Sequence, residues 1–138
     1  MTQTILQAAH GIHSLKGEDS FEKVFRHCRK VTGSDLNLYV QFRAKGSEER
    51  ESTSLGIQVR KKNVASAVRR NRIKRLVRES VRTVARIHSD IFFSIDAVIV
   101  SWNTRMDSES SSPQLRDVHD QILSLLREAQ AMRQRRPS

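Results

Sequence analysis

The sequence feature that most constrains the fold lies between residues 60 and 88. Eleven of the 25 Lys and Arg residues fall between residues 60 and 86, against one of the 15 Asp and Glu residues, Glu79. This segment therefore carries a net charge of +10, which equals that of the whole chain. From residue 67 to residue 88 its apolar residues recur with the period of an α-helix. The sequence thus predicts one long amphipathic helix with a strongly basic face.

At 100° per residue, the apolar and basic side chains of this helix separate onto opposite faces. The apolar face comprises Ile73, Leu76, Val77, Val84 and Ile87. The polar face comprises Asn71, Lys74, Arg75, Arg78, Arg82 and Arg86. We expect the apolar face to pack on a sheet and the basic face to meet a polyanion, with Ser66 as the N-cap of the helix.

Alternation of apolar and polar residues predicts two strands before the basic helix, Leu36–Phe42 and residues 55–60. We expect these strands to pair antiparallel through a hairpin loop over residues 45–54, with one sheet face left free of core. Residues 95–101 are almost continuously apolar. Such a run predicts a central strand that is buried on both faces.

Helical patterns also occur near both ends of the chain. The first covers residues 20–27 and starts with a capping box formed by Asp19 and Glu22. Its apolar face comprises Phe21, Val24, Phe25 and Cys28. The last helix follows Ser112 and Pro113, a favourable start for a helix. Its apolar face comprises Leu115, Val118, Ile122, Leu125 and Leu126.

These elements predict an α/β fold with a central mixed sheet of four strands or fewer. A strand, the basic helix and a second strand form a βαβ unit, and shorter helices flank it at the N- and C-terminal sides. We expect a single domain over residues 18–131. Residues 1–17 are expected to form a loosely held arm, and residues 132–138 a basic tail.

Composition and motifs argue against several classes of protein. Cys28 is the only cysteine, which excludes an internal disulfide or a multi-cysteine zinc site. The five histidines have no ligand-like spacing, and no Gly-rich phosphate loop is present. We therefore expect no catalytic residue and no metal or cofactor bound by the protein alone. No apolar run reaches the roughly 18 residues of a membrane span, and no signal peptide is recognised, so we expect a cytoplasmic protein.

The basic face favours a nucleic-acid partner. Unopposed like charges at i, i+4 cost about 0.2–0.5 kcal/mol per pair, a cost that a phosphate backbone relieves. Arginine outnumbers lysine seven to one between Arg69 and Arg86, and the guanidinium group binds phosphate oxygens in bidentate fashion. DNA-reading helices usually belong to a helix-turn-helix or a coiled coil. Asn37, Tyr39 and Gln58 on a sheet face instead suit single-stranded RNA, so we expect RNA and neither DNA nor a membrane.

From these residues alone, three functions remain open. The chain is either the RNA-binding subunit of a larger enzyme, another RNA-binding module such as a ribosome-associated protein, or an autonomous nuclease. The roles of Phe21 and Phe25 are open in the same way. Helical periodicity favours two core residues, and contact of both rings with a ligand is the alternative.

Four segments resemble the protein subunit family of bacterial ribonuclease P. They are FEKVF at residues 21–25, LY at 38–39, GIQVRKK at 56–62 and AVRRNRIKRLVRE at 67–79. The resemblance implies an α+β sandwich like ribosomal protein S5 domain 2, with a left-handed βαβ crossover, which is rare. It also implies a catalytic RNA as partner in an enzyme that removes the 5′ leader of precursor tRNA. In that family the RNA and its Mg²⁺ ions hydrolyse the phosphodiester, and the protein binds the RNA and the leader.

The resemblance assigns residues to three parts of an RNA-binding surface. On the basic helix these are Arg70, Asn71, Lys74, Arg75 and Arg78, and we expect Arg72 and Arg82 of the same helix to bind RNA with them. At the strand end and in the following loop they are Arg60, Lys61 and Lys62. In the leader cleft they are Phe21, Phe25, Asn37, Tyr39 and Gln58. The loop over residues 63–66 lacks the family's usual glycine and is one residue longer, and Arg60 replaces the usual serine.

Overall fold

The structure, a computed structural model, describes residues 11–44, 52–106 and 115–135. In chain order its elements are β1 (Gly11–Ser14), α1 (Glu18–His27), β2 (Arg29–Thr32), β3 (Leu36–Phe42), β4 (Ser52–Val59), α2 (Ala67–Ile87), a 3-10 turn (Ser89–Phe92), β5 (Ile95–Trp102) and α3 (Leu115–Arg135). The strands form one mixed sheet in the order β1-β4-β5-β3-β2. The predicted α/β class is confirmed, with five strands instead of four or fewer.

The predicted βαβ unit is present, with α2 as its connection. β4 and β5 are parallel neighbours, in register from Ser54 opposite Ala97 to Val59 opposite Trp102. β5 is the third of the five strands, and all its residues except Asp96 are buried. The apolar run of the sequence is therefore the central strand, as predicted, because only that position covers both of its faces.

The predicted antiparallel pairing of the first two predicted strands, β3 and β4, is wrong. β5 lies between them and pairs antiparallel with β3 and parallel with β4. The physical reason is that the most apolar strand takes the centre of the sheet, although it follows both of its neighbours in the chain. Residues 52–54, expected in the hairpin loop, belong to β4, and residues 45–51 lie outside the described residues.

Helices cover both faces of the sheet. One core layer lies between the sheet and the helices α2 and α3, and includes Leu38, Val77 and Ile122. On the opposite face α1 contacts β3 and β5, and Val24 of α1 packs with Ala97 and Ile99 of β5. The sheet face expected to be free of core is therefore partly covered by α1.

The predicted loose arm is in part a strand. β1 pairs parallel with β4, from Gly11 opposite Ser52 to Ser14 opposite Leu55. Leu15 N then donates to Leu55 O at 2.8 Å. Residues 1–10 of the predicted arm lie outside the described residues. The other edge strand, β2, was also not predicted, and it pairs antiparallel with β3.

The predicted capping box of α1 is not formed. Gly17, with φ of 90°, is the N-cap residue, and no side chain caps the helix. Glycine suits this position because residues with a Cβ are strained at such an angle. The carboxylate of Glu22 pairs instead with Arg26, one turn further along the helix.

α2 follows the predicted limits closely, but its buried stripe is rotated slightly. Ile73, Val77 and Val84 are buried as expected, together with Ser80, Val81 and Ala85, which were not predicted. Ile87 is 59% exposed, contrary to prediction. It is the last residue of the helix, where no neighbouring element covers it. The predicted start of α3 at Ser112 and Pro113 lies outside the described residues.

Candidate nucleic-acid interface

The loop that leads into the basic helix α2 is a fixed turn. Arg60 O accepts hydrogen bonds from the backbone N–H groups of Asn63 and Val64, both at 3.0 Å. Val64 is fully buried. The Asn63 backbone O accepts from Met106 N at 2.8 Å, and Asn63 Nδ2 donates to Trp102 O at 3.3 Å. The longer loop without glycine is thus anchored by one buried apolar side chain and one amide.

Arg60, Lys61 and Lys62 are exposed on the outer side of this turn. In the described part of the chain, none of the three forms an ion pair with a carboxylate. Since their backbone is fixed by the turn, the three cations stand at a defined place at the start of α2. They are available to a phosphate, as the resemblance implies.

Ser66 is the N-cap of α2, as predicted, and its Oγ accepts a hydrogen bond from Arg69 N at 3.3 Å. Arg70 also binds the loop that leads into α2. Its Nη1 donates to Val64 O at 3.0 Å and to Ala65 O at 2.7 Å. The structure therefore directs this guanidinium group toward the protein backbone, whereas the resemblance assigned it to RNA.

The other α2 residues predicted to bind RNA, five cations and one amide, form a ridge, which we call the basic ridge: Asn71, Arg72, Lys74, Arg75, Arg78 and Arg82. Lys74 and Arg78 are half-buried and the others are exposed. No ion pair joins any cation of the ridge to a carboxylate of the described residues. The positive charge of the ridge is thus not neutralised within this part of the chain, which favours an anionic partner.

One row of the ridge lines a groove that the sequence did not reveal. Lys74, Arg78 and Arg82 recur every four residues and share the groove with Phe21 of α1. The polar residues His13 and Ser14 of β1 and the edge of β4 also line it, together with the apolar residues Ile12 and Leu15. His13 and Ser14 were missed because a strand of four residues is too short to show an alternation. The groove brings cations and an aromatic ring together.

The floor of the groove is the edge of β4. β1 pairs with β4 only from Ser52 to Leu55, and in the described residues no strand lies beside residues 56–59 on that edge. The backbone groups on this side of residues 56–59 therefore have no partner strand within the described part of the chain. A Cβ on Gly56 would lie 2.7 Å from Cζ of Phe21. Only glycine lets the Phe21 ring lie directly on the strand.

The predicted leader cleft lies on the α1 side of the sheet. The rings of Phe25 and Tyr39 meet edge to face, with centroids 4.9 Å apart and an interplanar angle of 83°, an arrangement that aromatic pairs prefer. Phe25 is 37% exposed, and Phe21 and Tyr39 are half-buried. Gln58, also half-buried, accepts a hydrogen bond at Oε1 from Ser101 Oγ at 3.2 Å.

Asn37 differs from the other residues predicted for the cleft. It is only 7% exposed, and its Oδ1 accepts a hydrogen bond from Gly33 N at 3.4 Å. Its amide therefore supports the turn between β2 and β3 and leaves little surface for a ligand. The alternation along β3 predicts that Asn37 lies on the polar side of the strand. It does not show that this end of the strand is buried.

Cys28 is the remaining reactive group near the cleft. Burial raises the pKa of the Cys28 thiol, and its own backbone hydrogen bond and the charge of Lys30 act in the opposite direction. The thiol is thus the form present at neutral pH, which makes it a poor nucleophile. No cluster of three or more potential metal ligands occurs among the described residues, and none of the described helices is long and apolar enough to cross a membrane.

A basic ridge that forms no ion pair with a described carboxylate, beside the half-buried ring of Phe21 and the exposed ring of Phe25, defines a nucleic-acid-binding protein. The family model described as Ribonuclease P matches residues 10–129. The ribonuclease P protein component of Brevibacillus brevis is 32% identical over 125 residues, which cover 91% of this chain and 89% of the relative. That of Pseudoalteromonas atlantica is 38% identical over 80 residues, 58% of this chain and 59% of the relative.

Solved structures show the same fold. The RNase P protein of Staphylococcus aureus matches with a TM-score of 0.62 and 20% identity, covering 89% of this chain and 96% of that one. The RNase P protein of Thermotoga maritima matches with a TM-score of 0.63 and 23% identity, covering 84% and 96%. The chain belongs to the ribonuclease P protein family. It is therefore a component of a ribonucleoprotein endoribonuclease of tRNA processing, with RNA as its partner in the holoenzyme.

Proposed function

We propose that this chain binds the catalytic RNA of ribonuclease P and the single-stranded 5′ leader of precursor tRNA, and so assists removal of the leader. The observation that carries the proposal is the groove in which Lys74, Arg78 and Arg82 face Phe21. Cations bind the phosphates of a single strand, and an aromatic ring stacks on its bases. A groove with both groups, beside an open strand edge, fits a single strand better than a duplex.

The geometry supports a division of work within the basic ridge. Arg72 and Arg75 are exposed and do not line the groove, so they bind the catalytic RNA together with Arg60, Lys61 and Lys62. Lys74, Arg78 and Arg82 bind the phosphates of the leader. This changes the assignment implied by the resemblance, in which the whole helix met the catalytic RNA.

In the reaction, water attacks the phosphorus at the leader junction, and the bond to the leader's 3′ oxygen breaks. The mature tRNA keeps the 5′ phosphate. The catalytic RNA holds most of the Mg²⁺ ions that this step requires, while the protein's own side chains hold and orient the leader. A chain with one cysteine and such an RNA partner suits the cytoplasm, where we place it.

Reconstitution tests the proposal. Purified protein is added to its cognate catalytic RNA at low Mg²⁺, and cleavage of a precursor tRNA is measured with the RNA alone as control. We expect the protein to restore leader removal at Mg²⁺ concentrations where the RNA alone is inactive. Absence of any effect would disprove the proposal. Cleavage by the protein alone, after exhaustive removal of RNA, would show instead that the polypeptide carries its own active site.

A further inference from the structure

Lys30 lies on the strand β2, which the sequence pattern did not reveal. It stands directly opposite Tyr39 in the antiparallel pair of β2 and β3. Because side chains alternate along a strand, Arg29 and Val31 point to the opposite face, where Val31 is part of the main core. Lys30 is therefore the one cation of β2 on the face that carries the leader cleft.

The Lys30 ammonium group contacts the aromatic pair of the cleft. Its Nζ lies 5.7 Å from the centroid of the Tyr39 ring, within the roughly 6 Å over which a cation is attracted to an aromatic face. The Tyr39 ring in turn meets Phe25 edge to face. The Lys30 ammonium group, the Tyr39 ring and the Phe25 ring thus form one continuous row. Phe25, at the end of this row, is exposed.

The charge of Lys30 is not neutralised by its surroundings. Lys30 is exposed, and no carboxylate of the described residues pairs with it. Glu22 of the adjacent helix α1 is already paired with Arg26. A ring attracts the ammonium group but leaves its charge intact, so the group can still bind an anion.

We propose that Lys30 is a further RNA-binding residue, which binds a phosphate of the single-stranded leader while the neighbouring base stacks on Phe25. By lying over Tyr39 it also holds that ring against Phe25. The proposal rests on leader binding as proposed above. It extends the leader's path from the groove of Lys74, Arg78 and Phe21 across the α1 side of the sheet to β2.

The test compares the variants Lys30→Gln and Lys30→Arg with the control Lys23→Gln. Lys23 is exposed on α1, on the side of the helix away from Phe21 and Phe25, and its substitution changes the net charge equally. Each protein is assembled with the catalytic RNA. Affinity is then measured for precursor tRNA with a leader and for the same tRNA without one, over a series of salt concentrations.

For Lys30→Gln we expect an affinity loss of about 3- to 10-fold that is confined to the leader-bearing substrate. The slope of log affinity against log salt should become shallower by about 0.7, as for one phosphate contact on a single strand. Lys30→Arg should restore affinity to within about 2-fold, because it keeps the cation. Lys23→Gln should match the wild type.

Unchanged leader-dependent affinity in Lys30→Gln would overturn the role of Lys30. An equal loss in Lys23→Gln would overturn it as well, since net charge would then explain the effect. A different result would count against the proposed function itself: wild-type holoenzyme that binds both substrates equally well would show that the leader is not bound at all.

Discussion

The two walls of the groove are built from different physical interactions. The α2 wall is a row of cations on a 21-residue helix, which is held in place by a buried stripe on its opposite side, and these cations form no ion pair with a carboxylate of the described residues. The α1 wall carries two aromatic rings on a ten-residue helix: Phe21, which lines the groove, and Phe25, which meets the Tyr39 ring of β3. The first wall should bind in a salt-dependent manner through counterion release, and the second largely independently of salt.

The largest effect is expected from the cationic wall. Arg78→Gln combined with Arg82→Gln removes two phosphate contacts, so affinity of the holoenzyme for leader-bearing precursor should fall on the order of 100-fold. The slope of log affinity against log salt concentration, the salt slope, should become shallower by about 1.4. Binding titrations at several salt concentrations measure both. Lys23→Gln combined with Arg127→Gln, which neutralises two exposed cations elsewhere, is the control and should bind like the wild type.

The same double variant should also be more stable. Arg82 stands four residues from both Arg78 and Arg86, and removing like charges at that spacing gains about 0.2–0.5 kcal/mol per pair. Urea denaturation measures the free energy of unfolding. A lower free energy of unfolding in the double variant would mean instead that these guanidinium groups stabilise the fold.

The aromatic wall gives the next effect. Phe25→Ala removes a stacking surface worth about 1–3 kcal/mol per base, so affinity for leader-bearing precursor should fall on the order of tenfold. Unlike the arginine variant, it should leave the salt slope unchanged, because no phosphate contact is lost. A shallower slope in Phe25→Ala would show that the two walls do not work separately.

Arg70→Gln separates structural from RNA-binding arginines on the same helix. It removes the guanidinium group that donates to Val64 O and Ala65 O, and the free energy of unfolding should fall by about 1–2 kcal/mol. Chemical denaturation measures the loss, with Arg72→Gln as the exposed control. If Arg70→Gln left stability unchanged and made the salt slope shallower, Arg70 would be an RNA contact after all.

The smallest effect is expected at Asn37. Asn37→Ala removes the hydrogen bond from Gly33 N to Oδ1, which should lower the free energy of unfolding by about 1 kcal/mol. Since Asn37 is buried, leader affinity should not change. A loss of leader affinity without a loss of stability would show instead that Asn37 contacts the leader.

The sequence predicted the long elements well and the edges of the sheet poorly. α2 and β3 show a period over 21 and seven residues, and the limits of both were predicted within one residue. β1 and β2 have four residues each, too few for a period to appear. The place of β5 between β3 and β4 depends on long-range packing, which a pattern read along the chain does not contain.

The site was predictable to a similar degree. Helical geometry alone predicts the cations of the basic ridge. The spacing of the apolar residues also indicates that Arg70 differs from them. Arg70 precedes Ile73 by three residues and Val77 by seven, so it lies on the side of the helix that faces the protein. Lys30 and His13 could not be predicted, because their strands were not recognised and only the sheet brings them to the site.

Cross-linking tests the central claim, that one groove between α1, α2 and the edge of β4 holds the leader. A precursor tRNA with photoreactive nucleotides in its leader is bound to the holoenzyme and irradiated, and the modified peptides are identified by mass spectrometry. The account predicts cross-links to the segments that contain Phe21 and Gly56. Cross-links confined to α3, which does not line the groove, would contradict it.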